Sequence, residues 1–100
     1  MEKIKINIDG ATVPFYEIEL NGVKHYEFDA SEIGCPEPMI NAMAGLKFIS
    51  QSRKNSKLIM INSHEPKGLY KKIKDKFHWS VEDLGGEKIQ IIFNSIEVQV

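Results

Sequence analysis

The stretch from Gly34 to Pro38, in which two prolines flank Glu37, most strongly limits how this chain can fold. Proline is well tolerated in the first turn of an α-helix, because the backbone N–H that it lacks would have no partner within the helix there. The residue before a proline is pushed towards extended geometry. The two prolines therefore predict that a helix begins at about Pro36 and that Cys35 is the residue that caps it.

Two helices are predicted after this point. The first runs over residues 36–51 and carries a broad apolar stripe at helical spacing, formed by Met39, Ile40, Met43, Leu46 and Ile49. The second begins at Pro66 and carries apolar residues at a spacing of four, namely Leu69, Ile73 and Phe77. Gly45 lies inside the first helix, where glycine costs about 1 kcal/mol relative to alanine. We therefore expect Gly45 to permit a close approach between this helix and a sheet.

Alternating apolar and polar side chains predict three strands before Cys35, at residues 4–8, 16–20 and 23–29. Asn21-Gly22, between the second and third of them, is typical of a two-residue hairpin turn. On the third strand, the large apolar side chains Tyr26 and Phe28 share one face, opposite His25 and Glu27. The chain therefore starts with an N-terminal β-hairpin and continues into a strand that leads to the cysteine.

Three more strand segments are predicted after the first helix. The unbroken apolar run at 58–61 suits a central strand, and a strand–helix–strand order implies a parallel pair. Residues 79–84 and 88–93 form a second pair around Gly85-Gly86, and the alternation continues to Val98 and Val100. The sequence thus predicts an α+β fold, a two-layer α/β sandwich. Its β-α-β-α-β-β core has a mixed four-stranded sheet with both helices on one face, plus the N-terminal β-hairpin extension.

The composition is that of an ordinary globular protein, with 100 residues of which 42% are hydrophobic and 27% charged. We expect a single domain over residues 1–100, in which residues 1–21 are extra strands and about 26–94 form the core. The single cysteine excludes an intramolecular disulfide. No apolar run is as long as a membrane span, and the N-terminus lacks the apolar core of a signal peptide. The expected location is the cytoplasm.

Cys35 is the strongest functional candidate. A thiol at the start of a helix faces the positive end of the helix dipole, which stabilises the thiolate. The N–H groups of Glu37 and Met39 are the expected hydrogen-bond donors to it. The alternative is structural, because free cysteines are among the most buried residue types and usually act as small apolar side chains.

His64 and Glu65 are expected near the thiol. Cys35 follows the carboxyl end of one strand of the predicted parallel pair, and His64-Glu65 follows the carboxyl end of the other. Ligands of α/β sheets tend to bind beyond those ends. His64 would then assist deprotonation of the thiol or donate to a bound sulfur anion. The alternative is that Ser63 or His64 only caps the second helix.

Other chemistries are not supported by the pattern. His25, His64 and His78 occur singly, without the spacing of metal ligands, so we expect no metal site. The chain has no Cys-Xaa-Xaa-Cys motif, no glycine-rich phosphate loop and no convincing third partner for a Cys/His hydrolase. No cofactor is expected.

Positive charge is concentrated in one part of the chain, although the net charge is only −1. Between residues 47 and 76 only Glu65 and Asp75 are acidic, whereas the basic residues are Lys47, Arg53, Lys54, Lys57, Lys67, Lys71, Lys72, Lys74 and Lys76. A basic surface attracts an acidic protein or RNA, although it can also be the solvated side of two helices and a loop. The lysines expected to dock a partner are those of the second helix, Lys67, Lys71, Lys72 and Lys74.

The arrangement around the cysteine resembles a known family. Asp29, followed six residues later by Cys35-Pro36-Glu37-Pro38 and a helix, resembles the Cys-Pro-Xaa-Pro signature of the TusA/SirA family of small sulfur carriers. Glu65-Pro66 is similar to the acidic-Pro pair that opens the second helix in that family. The chain departs from the family at Glu32, where glycine is common, and it has Gly34 next to the thiol. The resemblance covers about residues 26–94.

The resemblance implies a function. Cys35 would carry sulfur as a persulfide, supported by Pro36, Glu37, Pro38, Met39, Asp29, His64 and Glu65. The sulfur would come from a donor protein such as a cysteine desulfurase and pass to an acceptor protein, for tRNA thiolation or other sulfur or selenium trafficking. The expected function is therefore that of a carrier rather than a self-contained enzyme. The alternative is a non-catalytic protein- or RNA-binding regulatory module in which Cys35 is structural.

Overall fold

The computed structural model describes residues 2–52 and 55–96, with the backbone alone at residue 52. These residues form six strands and two helices. In chain order they are β1 (Ile4–Ile6), β2 (Phe15–Leu20), β3 (Val23–Asp29), α1 (Glu37–Ser52), β4 (Lys57–Asn62), α2 (Lys67–Ile73), β5 (Phe77–Gly85) and β6 (Lys88–Ser95). Arg53 and Lys54 of the predicted basic stretch, and Val98 and Val100 of the predicted C-terminal alternation, lie outside the described residues.

The strands form one mixed sheet in the order β1-β2-β3-β4-β6-β5. β3 and β4 are parallel, and every other neighbouring pair is antiparallel. The predicted α+β class with two helices is confirmed. Of the two described helices, neither has the length and apolar character needed to cross a membrane.

The prediction of a four-stranded sheet with a separate hairpin is wrong, because the sheet has six strands. Asn21 and Gly22 have φ angles of 54° and 81°, as a type I′ turn requires at its two central residues. This turn pairs β2 with β3, so that Glu17 lies opposite Tyr26. β1 then pairs with the outer edge of β2. The N-terminal strands therefore extend the core sheet.

Helix α2 is shorter than predicted. The four-residue spacing of Leu69, Ile73 and Phe77 predicts one continuous helix, but α2 ends at Ile73 and Phe77 begins β5. Between them, the Lys76 N–H donates to the Ile73 carbonyl at 2.8 Å and closes a turn. All three apolar side chains are nonetheless buried. The four-residue spacing therefore indicates that the three side chains are buried, but it does not show that they belong to one helix.

Both helices pack on the same face of the sheet. Their buried residues and those of the strands belong to one hydrophobic cluster, which includes Phe15, Tyr26, Phe28, Ala42, Leu46, Ile49, Leu58, Met60, Leu69, Ile73, Phe77, Ile91 and Phe93. The predicted close approach at Gly45 is confirmed, because a Cβ built there would lie 2.7 Å from Leu58 Cδ1 and 3.0 Å from Phe15 Cε2. Two layers of structure thus enclose the core.

Candidate functional site

The loops that carry Cys35 and His64 leave the same edge of the sheet. In the parallel pair, Asp29 at the end of β3 lies opposite Ile61 of β4, and the Ala30 N–H donates to the Ile61 carbonyl at 2.7 Å. The beginnings of the two helices also meet, since a Cβ built on Gly68 would lie 3.4 Å from Met39 Cε. The two loops are therefore neighbours, as the parallel pair predicts.

Cys35 is exposed, so its side chain does not fill the core. Pro36, rather than Cys35, is the cap residue of α1, because its carbonyl accepts the first helical bond from the Ile40 N–H at 3.1 Å. The peptide bond between Cys35 and Pro36 is cis. The Glu37 N–H, expected to serve the thiol, donates instead to the Gly34 carbonyl at 3.1 Å. The prediction of Glu37 as a donor to the thiol is therefore wrong.

A polar cluster ties the loop between β1 and β2 to the first turn of α1. Asn41 is 0% exposed, and its Oδ1 accepts hydrogen bonds from the N–H groups of Thr12 at 2.7 Å and Val13 at 3.3 Å. Its Nδ2 donates to the Thr12 hydroxyl at 2.8 Å and to the Glu37 carbonyl at 2.9 Å. The Thr12 hydroxyl in turn donates to the Glu37 carboxylate. We call Thr12, Val13, Glu37 and Asn41 the Asn41 clamp.

The Asn41 clamp gives two of the predicted features a structural role. It holds Glu37 of the Cys-Pro-Xaa-Pro motif, whose side chain is half-buried, and it connects the N-terminal extension to the segment next to the thiol. Sequence reasoning missed Asn41. No local signal marks it, because Asn41 lies outside the predicted apolar stripe and its partners Thr12 and Val13 are 29 and 28 residues away in sequence.

Asp29 shapes the start of the loop that leads to the thiol. Its Oδ1 accepts hydrogen bonds from the Ser31 N–H at 2.8 Å and the Ser31 hydroxyl at 2.6 Å. Partial burial acts to raise the pKa of Asp29, but these two bonds and the charge of Lys88 outweigh it. The net result is a pKa below the ordinary value of 3.8.

We expect Asp29→Asn to lower the free energy of unfolding at neutral pH. Because folding depresses the pKa of Asp29, its carboxylate stabilises the fold above the ordinary pKa, and this contribution is lost as the pH falls through the lower, folded value. The difference between the two proteins should therefore shrink in acid, below pH 3.8. Urea unfolding at several pH values measures it. Ser31→Ala is the control, since it removes one donor and keeps the N–H. A difference that stays the same at every pH contradicts the prediction.

His64 and Glu65 make their described hydrogen bonds within their own segment. His64 is exposed, with its Nδ1 3.1 Å from the Ser63 hydroxyl, and its carbonyl accepts from Nδ2 of the buried Asn62 at 2.9 Å. The Glu65 carboxylate accepts from the Tyr70 hydroxyl at 3.0 Å, and burial followed by this bond raises the pKa of Tyr70. No hydrogen bond among the described residues joins either to Cys35.

The capping alternative for this segment is wrong. Pro66 is the N-cap residue of α2, and no side chain makes a capping hydrogen bond to the helix. A proline can take that place because the first N–H groups of a helix have no partner within it. The exposed imidazole of His64 is therefore left at the same edge of the sheet as the thiol.

A groove of about 840 Å³ lies between α1 and the end of α2, beginning at Pro36. It is lined by Asp9, Gly10, Pro36, Met39, Ile40, Met43, Ala44, Leu46, Lys47, Ser50, Gln51, Lys72, Ile73, Lys76 and Phe77. Ile40 and Met43 belong to the predicted apolar stripe, but they are 40% and 42% exposed, so the core covers only part of that stripe. Ala42, Leu46 and Ile49 of α1 are buried in the core instead.

The described lysines of the basic stretch do not all lie on one surface. Of the four predicted docking lysines, only Lys72 lines the groove, where Lys47 and Lys76 join it. Lys67, Lys71 and Lys74 are exposed outside it. The alternation of β4 puts Lys57 on the sheet face opposite the helices. The groove thus collects three basic side chains from separate parts of the chain.

The described arrangement is an exposed thiol beside an apolar groove lined by lysines, at the edge where β3 and β4 end. Within residues 2–52 and 55–96, no three His, Cys, Asp or Glu side chains are grouped so that they could hold a metal ion. Comparison with protein families, curated proteins and solved structures finds no match to this chain.

Proposed function

We propose that the chain is a sulfur carrier of the TusA/SirA type, which relays sulfur as a persulfide on Cys35. The observation that carries the proposal is the position of the only cysteine. Cys35 is exposed just before α1, at the edge where the parallel strands β3 and β4 end. The element order from β3 to β6 agrees with the β-α-β-α-β-β arrangement that the resemblance implies.

The transfer moves one sulfane sulfur without net oxidation or reduction. The Cys35 thiolate attacks the outer sulfur of a persulfide on a cysteine of the donor protein. The sulfur–sulfur bond of the donor breaks, the donor cysteine leaves as a thiolate, and a new sulfur–sulfur bond forms on Cys35. In the second step a thiolate of the acceptor attacks the same outer sulfur, and Cys35 leaves as a thiolate.

The neighbouring residues would hold and present the thiol in this relay. Pro38 is buried and Pro36 lines the groove, so the two prolines anchor the chain on either side of Glu37. Asp29 organises the turn that enters the loop. His64, exposed at the same edge, would donate a hydrogen bond to the persulfide or supply a proton to a leaving thiolate.

The proposed donor is a cysteine desulfurase or a related sulfurtransferase, and the acceptor is another protein. tRNA thiolation or other sulfur or selenium trafficking would consume the sulfur. A persulfide is reversible and is removed by thiols. We propose the cytoplasm as the compartment, where a protein with one free cysteine is not driven into disulfides.

Mass spectrometry of the intact protein tests the proposal. After incubation with a cysteine desulfurase and cysteine, the protein should gain the mass of one sulfur atom, and a reducing agent should remove it. Cys35→Ser is the matched control and should gain nothing, because the chain has no other cysteine. A protein that gains no sulfur, or a variant that gains as much as the original protein, would refute the carrier function.

The second candidate function is a protein- or RNA-binding regulatory module, and the groove beside the thiol favours it. In this case the chain gains no sulfur, and Cys35→Ser binds its partner as well as the original protein. Labelling of Cys35 by a small thiol reagent does not separate the two functions, because the thiol is exposed in both cases. Sulfur loading of Cys35 favours the carrier.

A further inference from the structure

We propose that the groove between α1 and α2 binds an acidic amphipathic helix of a partner protein. The proposal concerns binding alone and does not depend on persulfide chemistry. Four properties of the groove support it, namely its exposed apolar residues, its charged residues, its length and the backbone that forms its walls.

The exposed apolar residues lie together on one side of α1. Pro36, Ile40, Met43 and Lys47 recur at spacings of three and four residues, so they face the same direction. This side is distinct from the one that carries Ala42, Leu46 and Ile49 into the core. Met39 and Met43 are unbranched and flexible, and methionine-rich surfaces adapt well to apolar side chains of a partner. The groove therefore offers an apolar contact that residues 2–52 and 55–96 leave uncovered.

The charge of the groove selects the partner. Among the described residues that line it, Lys47, Lys72 and Lys76 are basic and only Asp9 is acidic. The three lysines are exposed, so their charges are accessible to a partner that enters the groove. Complementary charge speeds encounter and excludes partners of the wrong sign. A segment with acidic side chains beside an apolar stripe matches both properties.

The length and walls of the groove indicate a helix. From Pro36 to Gln51 the helix α1 rises by about 22 Å at 1.5 Å per residue, which matches a partner helix of about 15 residues. The walls come mainly from helices, whose backbone N–H and C=O groups are bonded internally, so they cannot accept an added strand. Recognition must therefore rely on side chains, as an amphipathic helix in a groove does.

The lining does not favour RNA. Bases bind single-stranded sites by stacking on exposed aromatic rings. The one aromatic residue in the lining, Phe77, is 6% exposed and belongs to the core. The exposed apolar residues of the groove are aliphatic side chains and thioethers instead. These contact leucine-like side chains well but offer no flat surface for a base.

A labelled synthetic peptide provides the test. It has about 15 residues, with leucine at helical spacing on one side and glutamate and alanine elsewhere. Fluorescence anisotropy measures its affinity for the Cys35→Ser protein, which removes any contribution from sulfur chemistry. We expect Lys72→Glu and Met43→Gln each to weaken binding by about tenfold. Circular dichroism verifies that each variant is folded.

Two matched control variants change residues that do not line the groove. Lys71→Glu makes the same charge change on the neighbouring exposed residue of α2, and Val81→Gln changes a 41% exposed apolar residue on β5. Each control should change the affinity by less than about threefold. Two control peptides complete the set, one with lysine in place of glutamate and one with the same composition scrambled. Both should bind at least about tenfold more weakly.

Several outcomes overturn the proposal. If Lys72→Glu and Lys71→Glu weaken peptide binding equally, the peptide is held by nonspecific electrostatic attraction and not by a site in the groove. A scrambled peptide that binds as well as the amphipathic one shows that no helix face is recognised. Tighter binding of a single-stranded RNA oligonucleotide than of the peptide, weakened by Lys72→Glu, identifies a different class of partner. Sulfur loading of Cys35 is measured separately, so its failure leaves this test unaffected.

Discussion

Gly45→Val is expected to lower the free energy of unfolding by about 2–3 kcal/mol, because no space exists for a side chain at this position. A Cβ there would lie 2.7 Å from Leu58 Cδ1 and 3.0 Å from Phe15 Cε2. Both contact residues are buried in the core, so neither can move away freely. The two γ-methyl groups of valine would add to the overlap and push α1 away from β4. Denaturant unfolding monitored by circular dichroism measures the loss.

Two alanine variants separate the steric effect from helix propensity. Gly45→Ala adds only the Cβ, and the gain in helix propensity of about 1 kcal/mol offsets part of its overlap. Its loss should therefore be clearly smaller than that of Gly45→Val. Gly68→Ala is the matched control, since its Cβ would lie 3.4 Å from the flexible end of Met39. It should leave the stability unchanged or slightly higher. A Gly45→Val protein as stable as the original would contradict the close packing.

Local sequence signals predicted much of this fold because each acts within a few residues. Asn21 and Gly22 both take positive φ, which few other residue pairs do easily, so the hairpin is fixed by the turn itself. Pro36 and Pro38 mark the beginning of α1 for a similarly local reason. The same hairpin also implied that β2 would join the core sheet. The four-stranded prediction was wrong because it treated the first strands as an addition to the core.

The features that were missed depend on contacts between distant parts of the chain. The apolar stripe of α1 is wider than the face that one sheet can cover, and the sequence does not say which edge of the stripe is left exposed. The sheet covers Ala42 and leaves Ile40 and Met43 in the groove. Phe77 is placed by its pairing with Ser95 at the end of β6, which outweighs its helical spacing from Ile73. Neighbouring residues in the sequence alone do not determine the exposure of Ile40 and Met43 or the strand position of Phe77.

The candidate site also has a part that the sequence predicts and a part that depends on packing. The resemblance and the helix start identified Cys35, and the structure adds that it is exposed. The lysines that line the groove come from α1, α2 and the turn after α2, and only the packing of the helices brings them together. The lysine-rich stretch is compatible with one basic surface or with the solvated side of two helices and a loop. Of its described lysines, only Lys47, Lys72 and Lys76 line the groove. Charge counted along a sequence therefore overestimates charge gathered in space.

Asn41→Ala is expected to lower the free energy of unfolding by about 2–4 kcal/mol, because it leaves the N–H groups of Thr12 and Val13 without their acceptor. It also removes the amide that donates to the Glu37 carbonyl and the Thr12 hydroxyl. The loop between β1 and β2 would then lose its polar attachment to the start of α1. Urea unfolding measures the loss. Ser50→Ala is the control, since it removes an exposed hydroxyl of the same helix and should cost less than about 0.5 kcal/mol.

Asn41→Asp distinguishes the hydrogen-bond pattern from a simple loss of packing. The new carboxylate can still accept from Thr12 and Val13, but it cannot donate to the Glu37 carbonyl. It is also separated from the Glu37 carboxylate only by the Thr12 hydroxyl, which contacts both side chains. Burial and this like charge would hold the new carboxyl's pKa above its unfolded value. The destabilisation should therefore be largest at neutral pH and shrink towards about pH 4, as the protonated carboxyl becomes a donor. If Asn41→Asp is as stable as the original protein at neutral pH, the amide is not needed as a donor, and the Asn41 clamp is held by its acceptor bonds alone.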